Sequence, residues 1–203
     1  MLYFKKFMEI FDIQGSKQDV DIQSWHQGHT YEFQVPFQID PQTTEMKNFY
    51  LNAFRTQNVS ISPGKALAIP NSFKVFFSGD TGVKLSGMAG MASSLVYRHV
   101  LLGIKKIFEI QEKQGEPVNA LLFSAADEYM LPVYDMFARK FLLPDAPTGK
   151  GFVQIQPDVY LNKQWIRDNM DKFSTEDLWQ ILKTKRFVKQ EIDRIKKEKK
   201  GKS

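Results

Sequence analysis

The 203-residue chain contains no cysteine and only three histidines. Without thiols there is no disulfide, no thiolate metal site and no cysteine nucleophile. The one close histidine pair, His26 and His29 in H-Q-G-H, has no third ligand beside it; a zinc ion asks for three or four. A polar loop is the other reading. His99 falls in a helical stretch beside Tyr97 and Arg98, and no Ser-His-Asp arrangement follows from the spacing. No apolar run approaches the ~18 residues of a membrane span, and the start M-L-Y-F-K-K-F-M-E-I-F lacks an apolar signal core and a cleavage site. The expectation is a soluble, cytoplasmic protein. Repeats and low-complexity segments are missing apart from a basic tail.

What is present supports a folded body. Hydrophobic residues make up 42% and aromatic residues 13%, with seventeen phenylalanines. A chain of this length buries about 70% of its unfolded surface and needs no covalent staples. The net charge of +5 is a property of one end: residues 183–203 hold ten Lys or Arg against three Asp or Glu, +7, which leaves −2 for the other 182. A broad nucleic-acid face on the body is therefore not expected.

The centre of the chain is the stretch 72–113. Phe73, Val75, Phe76 and Phe77 suit a buried strand. Gly79, Gly82, Gly87 and Gly90 follow, and from about Met91 the residues Leu95, Val100, Ile104 and Ile107 recur at helical spacing. A strand, a glycine turn and a helix N-terminus together form an anion-binding arrangement, because unpaired N–H groups and the helix dipole favour phosphate or carboxylate. Neither Gly-Lys-Ser/Thr nor G-x-G-x-x-G is present. The glycines are open to two readings, a phosphate cradle and a packing turn.

Around this centre the pattern predicts further elements. Residues 1–14 form an amphipathic helix (Leu2, Phe4, Phe7, Met8, Phe11), and 14–27 a polar loop. Residues 29–39 alternate as a strand, with Pro36 marking an edge or an end. A second strand is expected over 46–55, a loop over 59–64 and a short strand over 66–69. After a helix stop at 112–117, residues 118–125 read as an interior strand and 128–142 as a helix burying Leu131, Tyr134, Phe137, Ala138 and Phe141, with Asp127 as its N-cap. Residues 152–161 alternate as a terminal strand, and Trp165 with Arg167 then reads as a packing anchor. Ser174 and Asp177 have capping-box spacing at the start of a basic C-terminal helix, 174–203. The order, antiparallel strands and then β–α–β–α–β, predicts an α/β fold of the α+β kind: a mixed sheet with two crossover helices.

Three stretches, T-Y-E-F-Q-V-P-F, F-K-V-F-F-S-G-D-T-G and L-L-F-S-A-A-D-E-Y-M-L-P-V-Y-D-M-F-A-R-K-F, resemble the GNAT-type (acyl-CoA N-acyltransferase) fold. More narrowly they resemble GNAT-like bacteriophage proteins, whose pattern of F-S-A, acidic residues and a helix carrying L-Y-x-R-x-A falls in this chain on Phe123-Ser124-Ala125, Asp127-Glu128 and positions 134–139. The resemblance spans about residues 30–164 within a GNAT-like domain at 28–165. It implies a mostly antiparallel mixed sheet, and acetyl-CoA pyrophosphate on the amides at Gly87, Gly90, Met91 and Ala92. It further implies Tyr134 as the acid that protonates the leaving thiolate, with Asp80 or Asp127 as base. The Arg or Gln that leads the GNAT glycine turn is missing from S-G-M-A-G-M-A, and Tyr134 also suits the core. Three functions follow: N-acyl transfer from acetyl-CoA to an unknown amine; a catalytically inactive GNAT-fold protein that binds a host or virion partner, with the host cytoplasm as its setting; and nucleic-acid binding through Lys183, Lys185, Arg186 and Lys189.

Overall fold

The computed structural model describes residues 23–25, 29–38, 46–79, 91–124, 134–135, 137–145 and 150–181. Its strands are β1 (Gln23–Trp25), β2 (Thr30–Gln38), β3 (Met46–Ser62), β4 (Lys65–Gly79), β5 (Ala120–Ser124), β6 (Phe152–Gln156) and β7 (Val159–Asn162). Helix α1 (Met91–Lys113) joins β4 to β5. Helical residues that close in a π-turn at Ala138–Leu142 precede β6. Helices α2 (Lys163–Asp168) and α3 (Thr175–Ile181) follow β7. The strands lie in the order β1-β2-β3-β4-β5-β7-β6, and β4–β5 is the parallel pair. The expected mixed sheet, antiparallel first and then crossed over, is observed.

One core lies on the sheet face under α1. Tyr31, Phe33, Leu51, Ala53, Phe73, Val75, Leu121 and Phe123 project from the strands to meet Leu101, Ile104, Ile107 and Phe108 of α1, with Phe137, Ala138 and Leu142. Both crossovers step the same way across the sheet, from β4 to β5 and from β5 to β6. Crossovers of one hand that step the same way place their helices on the same face. Helix α1 stops where the sequence places a stop: Gly115 takes φ +75°, and its N–H donates to the Glu112 carbonyl at 3.1 Å.

A second core forms on the opposite face from Val59, Ile61, Ile69, Ala120, Val153, Val159 and Leu161, covered by Trp165, Ile166, Phe173 and Ile181. Trp165 is thus the anchor expected. Part of this core comes from a reversal of alternation inside the β3–β4 hairpin. Odd-numbered residues of β4 face one core at Phe73 and Val75 and the other at Ile69. Between them Asn71 sits at φ +51°, a conformation that asparagine tolerates better than β-branched residues do. The register with β3 jumps at the same level, between Thr56 and Asn58. The freed carbonyls are satisfied: Ser72 Oγ donates to Ile69 (2.8 Å), Asn119 Nδ2 to Pro70 (2.9 Å), and the Asn119 N–H to Asn71 (3.0 Å). The distal arm then reaches β6, where Gln156 Nε2 donates to the Ser60 carbonyl at 3.1 Å.

This kink corrects two expectations. Residues 59–62 are strand rather than loop, and 66–69 are not a separate strand, because β4 runs through Pro70. Proline's missing N–H falls at the bulge, where the ladder is interrupted. Residues 23–25 within the expected loop pair with β2, and 152–161 is a hairpin turning at Pro157–Asp158 rather than one strand. Pro36 lies past the stretch of β2 that β1 covers. The helices expected at 1–14 and beyond residue 181 lie outside the described residues.

The capping box at α3 is present. The Asp177 N–H donates to Ser174 Oγ (3.2 Å), and the Ser174 N–H donates to Asp177 Oδ2 (2.8 Å). Lys65 at the start of β4 pairs with the same carboxylate. The Lys65 ammonium, then Ser174, hold the Asp177 carboxyl down at about 2 from its ordinary 3.8. A depressed carboxyl contributes stability that is complete above about pH 5 and is lost as the pH falls through the folded-state value of about 2. Lys65 is 40% exposed, so water screens the pair and the contribution is about 1 kcal/mol. Asp177→Asn is expected to remove that much at pH 7 and less than half of it at pH 2, where the wild-type carboxyl is itself about half protonated. Urea unfolding of both proteins at the two pH values measures it; an equal difference at both would show that the ion pair is not its source.

Candidate functional site

The carboxyl end of the parallel pair is where two elements of the predicted site converge. The β4–β5 register runs from Ser72↔Ala120 to Phe76↔Ser124, and β4 continues to Gly79 before residues 80–90 lead into α1. Ligands of open α/β sheets bind outside the carboxyl ends of parallel strands, next to helix N-termini. Met91 and Ala92 are the first two residues of the 23-residue α1, the positions whose N–H groups have no partner within the helix. Asp80, Gly87, Gly90 and Asp127 lie outside the described residues, as do His26, Lys183, Lys185, Arg186 and Lys189.

Tyr134 is described. Its ring stacks on Phe123 at 4.2 Å and 19°, and the residue is 2% exposed. Phe123, next to last in β5, also meets Phe137 (6.1 Å, 88°) and Tyr160 (5.7 Å, 77°) edge-on. The floor below the carboxyl end of β5 is therefore aromatic and closely packed.

Tyr160 was not marked as a site residue by the sequence, where it is one alternating position between Val159 and Leu161. Burial, then the Asp135 and Asp158 carboxylates, push its hydroxyl up to about 12, and Gln154 Nε2, 3.1 Å away, offsets this only in part. A phenol held that high stays protonated at neutral pH and can donate but not accept a proton. Asp135 pairs with Arg139 one helical turn on, at 2.7 Å.

A second polar cluster lies at the other end of α1. Gln111 is fully buried, and its Nε2 donates to the Tyr31 hydroxyl at 2.5 Å and to Gln114 Oε1 at 3.2 Å. Arg55 Nη2 donates to Gln111 Oε1 (3.0 Å) and Glu116 Oε2 (2.6 Å), and the guanidinium lies 5.6 Å from the Phe73 ring centre. Burial raises the Tyr31 hydroxyl pKa, and the Gln111 bond partly offsets the rise. A cation at the C-terminal end of a helix is also favoured by the helix dipole. The sequence did carry a sign of this cluster: Gln111 falls four residues after Ile107 and seven after Ile104, a polar residue in an apolar stripe.

Among the described residues, no three His, Asp or Glu side chains are grouped to hold a metal ion, and no helix is long and apolar enough to cross a membrane. The chain matches no protein-family model, no curated protein and no solved structure.

Proposed function

We propose that the chain is an N-acyltransferase of GNAT type that moves the acetyl group of acetyl-CoA to an amine. The observation that supports this reading most is the parallel β4–β5 pair joined by α1, which brings the start of a long helix to the carboxyl end of a strand. The α1 N-terminus offers N–H groups and a positive dipole end to the pyrophosphate, with Gly87, Gly90, Met91 and Ala92 as the cradle. In the reaction the amine nitrogen, freed of its proton by Asp80, attacks the thioester carbonyl. The C–S bond breaks as the amide forms, and Tyr134 supplies the proton to the leaving thiolate. Positioning and backbone polarisation carry most of the barrier reduction.

A second reading is a catalytically inactive GNAT-fold protein that binds a host or virion partner. It is favoured by the burial of Tyr134 against Phe123 inside an aromatic cluster. Calorimetric titration with acetyl-CoA separates the two readings. Micromolar binding is expected, and Gly90→Glu, which puts a carboxylate against the pyrophosphate, should weaken it at least a hundredfold. No binding at millimolar acetyl-CoA would overturn the first reading and leave the second. Binding without thiol release across a panel of amines would favour the second.

A further inference from the structure

Two large apolar side chains stand exposed among the described residues, and both are aromatic: Phe54 at 39% and Trp179 at 53%. Leu51 and Ala53 of β3 and Val75 of β4 face the core under α1, so by alternation Phe54 and Phe76 project from the opposite face. There their rings stack at 5.1 Å and 22°, and the outer side of Phe54 reaches water. Lys74, exposed, is the residue directly across from Phe54 in the β3–β4 register. Glu32, half-buried on the same face, offsets its charge. The positive charge of the chain is concentrated at one end, and that end leaves from the same face. Helix α3 ends at Ile181, which shares the second core with Ile69 of β4. Residues 183–203 follow, with ten Lys or Arg against three Asp or Glu. Phe76 lies seven residues along β4 from Ile69, about 23 Å, and the 22 residues after Ile181 span about 33 Å even when helical. The basic segment is long enough to reach the aromatic pair.

We propose that this face binds single-stranded nucleic acid: Phe54 and Phe76 form a platform on which a base stacks, and the basic segment neutralises the neighbouring phosphates. An exposed ring on a sheet suits an unpaired base, whose flat face is open. In a duplex the bases are stacked on one another, and their faces are out of reach. Lysines alone bind single strands and duplexes alike, through phosphates and with strong salt dependence. The two features therefore have separable effects: the rings set the preference for single strands, and the basic segment sets the salt-dependent affinity. An apolar protein partner would account for the rings and leave the +7 of residues 183–203 without a role. The start of α1 takes no part, so the proposal stands apart from the acyl-CoA reading.

The test is fluorescence anisotropy of the full chain with a labelled oligothymidylate of about 20 nucleotides and with a duplex of the same length, between about 50 and 200 mM salt. The single strand is expected to bind at least about tenfold tighter than the duplex. Phe54→Ala, a surface truncation, should weaken the single strand about tenfold and leave the duplex unchanged, while Phe54→Tyr keeps the preference. Replacing Lys183, Lys185, Arg186 and Lys189 with Gln should weaken both and reduce the single-strand salt slope by about 3. Equal affinity for the two nucleic acids, with no effect of Phe54→Ala, would leave the basic segment acting alone and overturn the platform. Absence of binding at the lowest salt would overturn the proposal altogether. Sedimentation of the protein alone supplies the remaining check: a self-association that Phe54→Ala abolishes would make the pair a contact between copies and overturn it as well.

Discussion

Phe123→Ala is expected to be among the most damaging single substitutions in the chain, at about 3–5 kcal/mol. Phe123 is 1% exposed and contacts the rings of Tyr134, Phe137 and Tyr160 at once. Truncation loses the transfer energy of one ring and three aromatic contacts. It also opens a cavity between β5, β7 and the second crossover helix, where three large rings cannot all collapse inward. For a domain of this size the melting temperature should fall by about 10 °C. Phe54→Ala is the internal comparison: Phe54 is 39% exposed and stacks on Phe76, so it should cost under about 1 kcal/mol. Thermal melts of the two variants check the ranking. Equal losses would mean that the cluster around Phe123 is not the organising core of this end of the sheet.

Arg55→Ala is expected to cost about 2–3 kcal/mol, although arginine is a surface residue by habit. Its side chain is 17% exposed, and its removal leaves the buried Gln111 Oε1 and the Glu116 carboxylate without their donor. The cation–π contact with Phe73 is lost too. Most of the cost comes from the orphaned partners and not from the contact itself. The concerted apolar replacement of Tyr31, Arg55 and Gln111 should therefore cost less than Arg55→Ala, because the buried groups are removed together and the Glu116 carboxylate, 48% exposed, is left to water. Urea unfolding of Arg55→Ala and of the triple variant measures this contrast. A loss under about 0.5 kcal/mol for Arg55→Ala would show that water replaces the arginine.

Much of the architecture could be read directly. Residues 30–38, 91–113, 120–124 and the capping box at Ser174 and Asp177 follow from alternation, helical spacing and cap chemistry, because each is set by residues within a few positions of one another. The strand and the helix on either side of residues 80–90 were legible too, since each is set by local periodicity, while residues 80–90 themselves lie outside the described residues.

The β3–β4 arm was not legible. Pro70 and the polar residues of 56–64 carry strand-breaking signals, yet the strands continue. The left-handed turn at Asn71 is held by Asn119 and Ser72, and Asn119 is forty-eight positions away. Position 55 likewise shows only an arginine in an alternating stretch; Gln111 and Glu116, its partners, come from the far end of α1.

The sequence by itself determined which residues alternate, which coil and where helices start and stop, because propensity, periodicity and capping act over a turn or two of chain. Tertiary structure alone decided that β7 lies between β5 and β6, that one hairpin serves two cores, and that Arg55, Gln111 and Tyr31 meet. Those outcomes depend on pairing distant segments, and the burial energy that selects one pairing exists only once the segments are assembled.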